Sequence, residues 1–247
     1  MKISFVIPAY NEEADIGPCL ESVQKEIIRE RADAEIIVVN NASTDRTADI
    51  ARGFRNVRVV EEPRKGLVRA RQAGFKVSTG ELVANVDADT MVPQGWLHTV
   101  LQEFERDKKL VALSGPFIYH DLPLFSRILV RVFYAAGYLM YFLNRFVFRI
   151  GSMLQGGNFV ARREALQKIG GFNTSIEFYG EDTDVARRLS KIGNVKWSFK
   201  LPIYTSGRRL TREGIISVGL RYALNFFWTT FFGKPYTLAY KDIRPEK

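Results

Sequence analysis

A chain of 247 residues with a formal charge of +9 and a pI near 9.6 suits one α/β domain with a continuous core, and favours anionic partners: nucleic acid, nucleotide phosphates or an acidic membrane leaflet. The single Cys19 excludes an internal disulfide, and two histidines, His98 and His120, are too few for a His/Cys zinc site, so the composition reads as reducing and cytoplasmic. The apolar run after Lys2 ends at Pro8 and the acidic Asn11-Glu12-Glu13, too soon for a signal peptide, and nothing targets the chain for export.

Residues 3–7 form an apolar run closed by Pro8, which predicts a buried strand of a parallel sheet. Ile16, Leu20, Val23 and Ile27 recur at helical spacing, with Glu21, Lys25 and Arg29 on the other face. A second buried strand is predicted at 35–39, a helix capped by Ser43 or Thr44 after it, and a third strand at 57–60. Strands alternating with helices predict βαβ units, whose ligands sit beyond the carboxyl ends of the strands. Three of those ends carry polar runs: Pro8-Ala9-Tyr10-Asn11-Glu12-Glu13, Asn40-Asn41-Ala42-Ser43-Thr44-Asp45 and Asp87-Ala88-Asp89. Each alone is ordinary turn chemistry, yet one crevice would collect all three.

Between the second and third runs, Arg64, Lys65, Arg69 and Arg71 crowd the start of a helix, where the macrodipole disfavours cations. Either an anion compensates them or they form a solvated basic face. Asp87 and Asp89 follow the apolar residues 82–84. Strand alternation would point both carboxylates the same way, toward a hard cation such as Mg²⁺ or Mn²⁺, the plain alternative being an acidic turn.

After a helix at 96–106 and a strand at 111–114, residues 122–150 turn apolar and aromatic. Only about thirteen residues separate Arg131 from Arg145, short of the roughly twenty a spanning helix needs. At roughly 100° per residue, Arg127, Arg131, Arg145 and Arg149 share a stripe with Tyr134, Tyr138 and Tyr141. That pattern fits a helix lying in the membrane interface, with Arg on phosphates and Tyr at headgroup depth; a dimer interface or core helix is the alternative, and Gly137 and Gly151 are placed to break the periodicity. A strand follows at 155–163, where Gly156 and Gly157 permit close approach to a ligand or simply a turn, and then a helix at 164–169 and the turn Gly170-Gly171-Phe172. Tyr179-Gly180-Glu181-Asp182 opens a further helix, with Asp182, Val185, Ala186 and Leu189 facing inward and Asp184 and Arg187 outward. In the tail, Arg208 and Arg209 either close over a diphosphate or lie on the surface. The aromatic segment at 212–240, with Tyr222, Phe226, Phe227, Trp228, Phe231 and Phe232, reads as a second interfacial or self-association segment.

The runs at 7–13, 39–45 and 87–89 and the later Gly180-Glu181-Asp182 resemble, in order, the four signatures of the family 2 inverting glycosyltransferases. The resemblance implies an α/β fold of the GT-A, nucleotide-diphospho-sugar transferase type: a mostly parallel central sheet flanked by helices, here one domain over 1–247 with added amphipathic, membrane-associating helices. It also implies a nucleotide-diphosphate sugar donor, a divalent cation (Mg²⁺ or Mn²⁺) on Asp89 with Asp87 near the ribose or a metal-bound water, and Asp182 as the base. Pro8, Ala9, Tyr10, Glu12, Asn40, Asn41 and Ala88 would line the nucleotide end and Lys65 or Arg69 the diphosphate, with Gly157, Glu181, Arg208 and Arg209 as phosphate or acceptor contacts. Where the family often has Asp, this chain has Asn40 or Asn41, whose amide oxygen can still accept from a base N–H.

The expected activity is therefore inverting, metal-dependent sugar transfer to a hydroxyl acceptor, lipid-linked or an envelope glycan precursor, at the inner face of a membrane. A homodimer is the other use of the apolar segments. A nucleotidyltransferase would share fold and metal but release pyrophosphate. A basic nucleic-acid module is disfavoured, because no RRM, KH or zinc-finger pattern occurs and the aromatics do not alternate with cations.

Overall fold

The apolar runs assemble as the centre of the molecule. The computed structural model describes residues 1–148, 153–238, 240 and 242. In chain order it begins β1 (Ile3–Ala9), α1 (Ile16–Glu30), β2 (Ala34–Asn40), α2 (Thr47–Arg52), β3 (Val57–Glu61), α3 (Leu67–Val77), β4 (Leu82–Val86), β5 (Thr90–Met91) and α4 (Trp96–Arg106). It continues with β6 (Leu110–Ser114), β7 (Phe117–Tyr119), α5 (Leu124–Phe142) and its π-helical extension Leu143–Phe148, then β8 (Asn158–Arg162), α6 (Arg163–Lys168), α7 (Glu181–Leu189), β9 (Asn194–Trp197), β10 (Ile203–Thr205), α8 (Arg208–Glu213) and α9 (Ile215–Phe232).

The main sheet runs β3-β2-β1-β4-β8-β6-β9. β3, β2, β1 and β4 are parallel, as alternation with helices requires; β8 is antiparallel to β4 and β6, while β9 pairs parallel to β6. Strand periodicity divides the core into two layers. Phe5 and Ile7 pack with Leu20 and Trp96 on one face, and Val6 and Val39 with Val68, Phe75 and Val185 on the other. Gly74 of α3 lies so close to β1 that a Cβ would collide with Val6, which brings α3, and the cations at its start, down onto the sheet.

Two local expectations change. Neither Ser43 nor Thr44 caps α2: the Thr44 N–H donates to Asn11 Oδ1 at 2.8 Å and the Asn11 N–H to Ser43 Oγ at 3.1 Å, while Asp45 Oδ1 accepts from the Thr47 N–H at 3.0 Å. The polar runs thus bind each other in preference to the helix end. The Arg/Tyr stripe of α5 also divides. Tyr134 accepts from the Phe117 N–H at 3.0 Å, donates to Gln155 at 3.1 Å and stacks on Trp197, and Tyr138 packs on Trp197 and Phe199. Tyr141 is buried. These rings seat the helix on the protein, not at headgroup depth, because a tyrosine can bury its ring wherever its hydroxyl finds a partner.

Arg127 donates to the Leu122 carbonyl at 2.7 Å, Arg131 is exposed, and Arg145 lies over the Phe146 ring within the π-helical stretch, where a rotation of about 100° per residue no longer applies. Arg149 and Gly151 fall outside the described residues. The apolar face survives: Leu124, Phe125, Ile128, Val132, Leu139 and Phe142 on α5, and Ile216, Leu220, Leu224 and Phe231 on α9, are exposed. Among the described residues no helix is long and apolar enough to cross a membrane.

Candidate active site

The carboxyl ends of β1, β2 and β4 open on a cavity of about 460 Å³. Its floor is Pro8, Ala9, Tyr10 and Glu12 after β1, Asn41 after β2, and Asp87, Ala88 and Asp89 after β4; Lys65 and Arg69 enter from the start of α3, Arg208 and Arg209 from α8. Asn40 is not among the lining residues. Its amide donates to Glu61 at 2.6 Å, and its oxygen accepts from the Ser43 N–H. Asn41 donates to the Glu62 and Arg64 carbonyls at 3.0 and 2.9 Å and accepts from the Gly66 N–H at 2.7 Å, so its amide moors the loop that carries Lys65. The Lys65 ammonium lies 3.9 Å from the Tyr10 ring centroid and 2.7 Å from Asp242. Gly66, at φ +149° before α3, has room beside the Arg69 stem.

The two carboxylates of the Asp-x-Asp turn have different partners. Asp87 Oδ1 accepts from Arg71 at 2.9 Å, and the same guanidinium, 1% exposed, pairs with Glu181 at the start of α7. Asp89 Oδ2 accepts from Arg208 at 3.0 Å, and Arg208 also pairs with Glu12 and, at 3.4 Å, with Asp15. Three carboxylates thus gather on one guanidinium. Burial pushes the Asp89 carboxyl up to about 7; Arg208 opposes the shift, while Glu12, Asp87 and Asp15 add to it. Burial likewise pushes Glu181 up to about 7 against the pull of Arg71.

Asp182 lies on a second cavity, of about 360 Å³, between α5, α7 and α9. Its carboxylate is oriented by N–H donors: Gly156 to Oδ2 at 3.0 Å and Thr183 to Oδ1 at 2.7 Å. Burial raises its pKa, and those two N–H groups and Arg71 restrain the rise. Glu181 and Gly156 share this cavity, and Asp87, Leu67, Phe117, Phe178 and Tyr222 line both. Gly157 lines neither. At φ +78° it passes so close to Asp87 that a Cβ would overlap the carboxylate, so it shapes the site from behind. Asp184, expected outside, is buried: Arg188 holds it at 2.6 Å while also donating to the Ile169 and Gly171 carbonyls, because α7 is covered on both sides.

Arg71 is the functional residue that sequence reasoning missed. Its signal was present, since Val68, Arg71 and Phe75 have the i, i+3, i+7 spacing of a buried face and all three are buried.

The donor set fits a divalent cation. Asp87 and Asp89 offer hard oxygens at the cavity floor, and burial first, with the surplus of carboxylates around Arg208 added to it, makes Asp89 resist ionisation until a cation arrives. Among the described residues no three His, Cys, Asp or Glu side chains are grouped so that they alone could hold a metal ion. A Mg²⁺-type ion bound through one or two carboxylates and substrate phosphates needs no such cage.

Solved structures share this architecture. The mannosyltransferase PcManGT from Pyrobaculum calidifontis, in complex with GDP-Man and Mn²⁺, superposes with a TM-score of 0.66 at 20% identity, over 87% of this chain and 62% of that one. Glucosyl-3-phosphoglycerate synthase from Mycobacterium tuberculosis, in complex with Mn²⁺ and UDP-glucose, does so at 0.62 and 20% identity, over 95% and 80%. The fold is the GT-A fold. Residues 4–170 match the profile described as glycosyl transferase family 2, and residues 141–205 one described as the N-terminal domain of galactosyltransferase. The chain belongs to glycosyl transferase family 2. Among curated relatives, "Probable glycosyltransferase YdaM" of Bacillus subtilis is 29% identical over 214 residues, 78% of this chain and 47% of that protein. The poly-beta-1,6-N-acetyl-D-glucosamine synthase of Staphylococcus epidermidis is 32% identical over 117 residues, 46% and 28%. The matched regions span under half the length of both relatives.

Proposed function

We propose that this chain transfers a sugar from a nucleotide-diphosphate donor to a hydroxyl acceptor, with inversion at the anomeric carbon and with Mg²⁺ or Mn²⁺ bound at Asp89 and Asp87. The observation that carries the reading is the buried Arg71, which ties the Asp-x-Asp turn of the larger cavity to the acidic pair at the start of α7. Donor side and acceptor side are thereby held in register by one guanidinium. The Mn²⁺ complexes of the two solved neighbours, with GDP-Man and with UDP-glucose, support the donor class and the cation.

In this reading the nucleotide lies over Pro8, Ala9, Tyr10 and Glu12, and the diphosphate faces Asp89, Lys65, Arg69, Arg208 and Arg209. The cation, when bound, neutralises charge on the departing diphosphate. Arg208 now spans three carboxylates and would exchange part of that contact for phosphate oxygens, to which a guanidinium donates bidentately. Asp182, aimed by the Gly156 and Thr183 N–H groups, takes the acceptor proton as the hydroxyl oxygen attacks the anomeric carbon from the face opposite the leaving diphosphate. One displacement inverts the centre. The raised pKa of Asp182 brings a carboxylate nearer to the proton affinity a base needs at neutral pH. The exposed apolar faces of α5 and α9 support a lipid-linked acceptor met at the inner face of a membrane.

The test is a screen of nucleotide sugars for Mn²⁺-dependent protection against heat, then product analysis with the protecting donor. Release of nucleoside diphosphate with an inverted glycoside is expected. Release of pyrophosphate would make the chain a nucleotidyltransferase.

A further inference from the structure

The cavity at Asp182 does not look built for a free sugar. Its polar lining, Asp182 and Gln155 with Glu181, Arg71 and Asp87, includes the ion-paired set that reaches the donor cavity through Asp87. The apolar body is Phe133, Met140, Met153, Leu154, Phe226 and Phe227. Asn225 also borders it, but its amide is engaged by the Arg221 carbonyl and the Thr237 hydroxyl, each at 2.8 Å. A sugar in such a body would leave its hydroxyls without partners, at a desolvation penalty for each, whereas a hydrocarbon loses nothing there.

Gly137 adds an independent observation. It lies inside α5, where glycine weakens a helix, yet a Cβ built on it meets no atom of the described residues within 4 Å. Packing does not demand a glycine at this point. By contrast, a Cβ on Gly219 of α9 would lie 3.3 Å from the Phe133 ring, so that glycine serves the approach of the two helices. What Gly137 supplies is room, and it lines the cavity wall.

We infer that the cavity between α5 and α9 takes the hydrocarbon chain of a lipid-borne acceptor, with the acceptor hydroxyl at Asp182 and Gly137 leaving space for the chain. The inference rests on the assignment of Asp182 as the base of a sugar transfer. At about 360 Å³ the space is near the lower end of ligand pockets, so it holds the part of the chain nearest the hydroxyl. The exposed apolar faces of α5 and α9 take what emerges.

Radiolabelled farnesol, a hydrocarbon ending in one hydroxyl, is the probe for equilibrium dialysis against the full chain. Saturable binding of one equivalent is expected. Gly137→Phe, which fills the space from a position without steric conflict, should weaken it at least tenfold, Gly137→Ala should keep it, and Phe227→Ser should weaken it from another wall. All three should keep Mn²⁺-dependent protection by the donor nucleotide, which reads the other cavity. Farnesol bound to Gly137→Phe within twofold of the wild type, no saturable site, or displacement by glycerol or glucose would each overturn the inference. Loss of nucleotide protection in the wild-type chain would instead remove the donor reading, and dialysis scores the apolar site separately. The outer faces are common to all variants, so adventitious binding there cannot imitate the Gly137 effect.

Discussion

Asp89 and Asp182 are both half-buried carboxylates, but their surroundings prepare them for different work. Asp89 shares Arg208 with Glu12 and Asp15 and is held near neutrality, a site that gains from a cation. Asp89→Asn should abolish Mn²⁺-dependent nucleotide binding; the check is calorimetric titration with and without Mn²⁺, in which equal affinities for mutant and wild type would remove Asp89 from the donor site. Asp182 receives two backbone N–H groups and has no arginine of its own. Asp182→Asn keeps its shape and should lower turnover by roughly two to four orders of magnitude while leaving donor affinity unchanged, measured by initial rates with the natural acceptor. Glu181 has the opposite linkage to that of a surface ion pair. Its folded pKa, about 7, is above its ordinary 4.5, so the folded state keeps a proton that the unfolded chain has released, and stability falls as pH rises from about 4.5 to about 7. Urea midpoints over that window should decline in the wild type and decline less steeply in Glu181→Gln, the remainder belonging to Asp89 and Asp182; an equal decline in both would assign the effect elsewhere. Asp89 and Asp182 were legible as candidates from their place in the signatures, but the arginines that partner Asp89 and Glu181 were not. Asp87 looked like half of a metal pair, and only the fold shows that it also faces a buried arginine from α3.

At the scale of elements, β1 to β4 and α1 could be read from the sequence because a continuous apolar run means a strand covered on both faces and a 3.6-residue recurrence means one buried helical stripe. The antiparallel insertion of β8 could not be read, since an apolar run carries no direction. In α5 the period was correct and the face misassigned: tyrosines suit a membrane interface and a packed aromatic layer equally, and Trp197 and Phe199, some sixty residues on, decide between them. The face proposed to meet a membrane is therefore the opposite, aliphatic one. Replacing Ile128, Val132 and Leu139 by Ser should release the protein from liposomes rich in anionic lipid, with high salt releasing part of the wild type. Flotation alongside light scattering is the check. Flotation that survives the substitutions would rule out this face, and a wild type that ignores liposomes but halves its mass on substitution would make it a dimer contact.

Over the whole molecule, the first three signatures lie far apart in the chain and close together in space because parallel strands send all their carboxyl ends to one side, and Arg71 joins the fourth to them. That rule made most of the candidate site legible before any coordinates. The two-cavity layout was not legible, because it depends on α5 and α9, separated by the strands of the main sheet's far half, meeting over α7. Between the two cavities the partition is one side chain thick. Phe178, Tyr222 and Asp87 each line both cavities. If, as proposed, one cavity takes the nucleotide and the other the acceptor, two substrates divided by so thin a septum would not be kinetically independent: whichever arrived first would set the rotamers that the second must meet. Tyr222→Ala should accordingly raise both Michaelis constants together and weaken the synergy between them, seen as double-reciprocal initial-rate lines whose intersection moves onto the abscissa; a change confined to one substrate would show that the septum is inert.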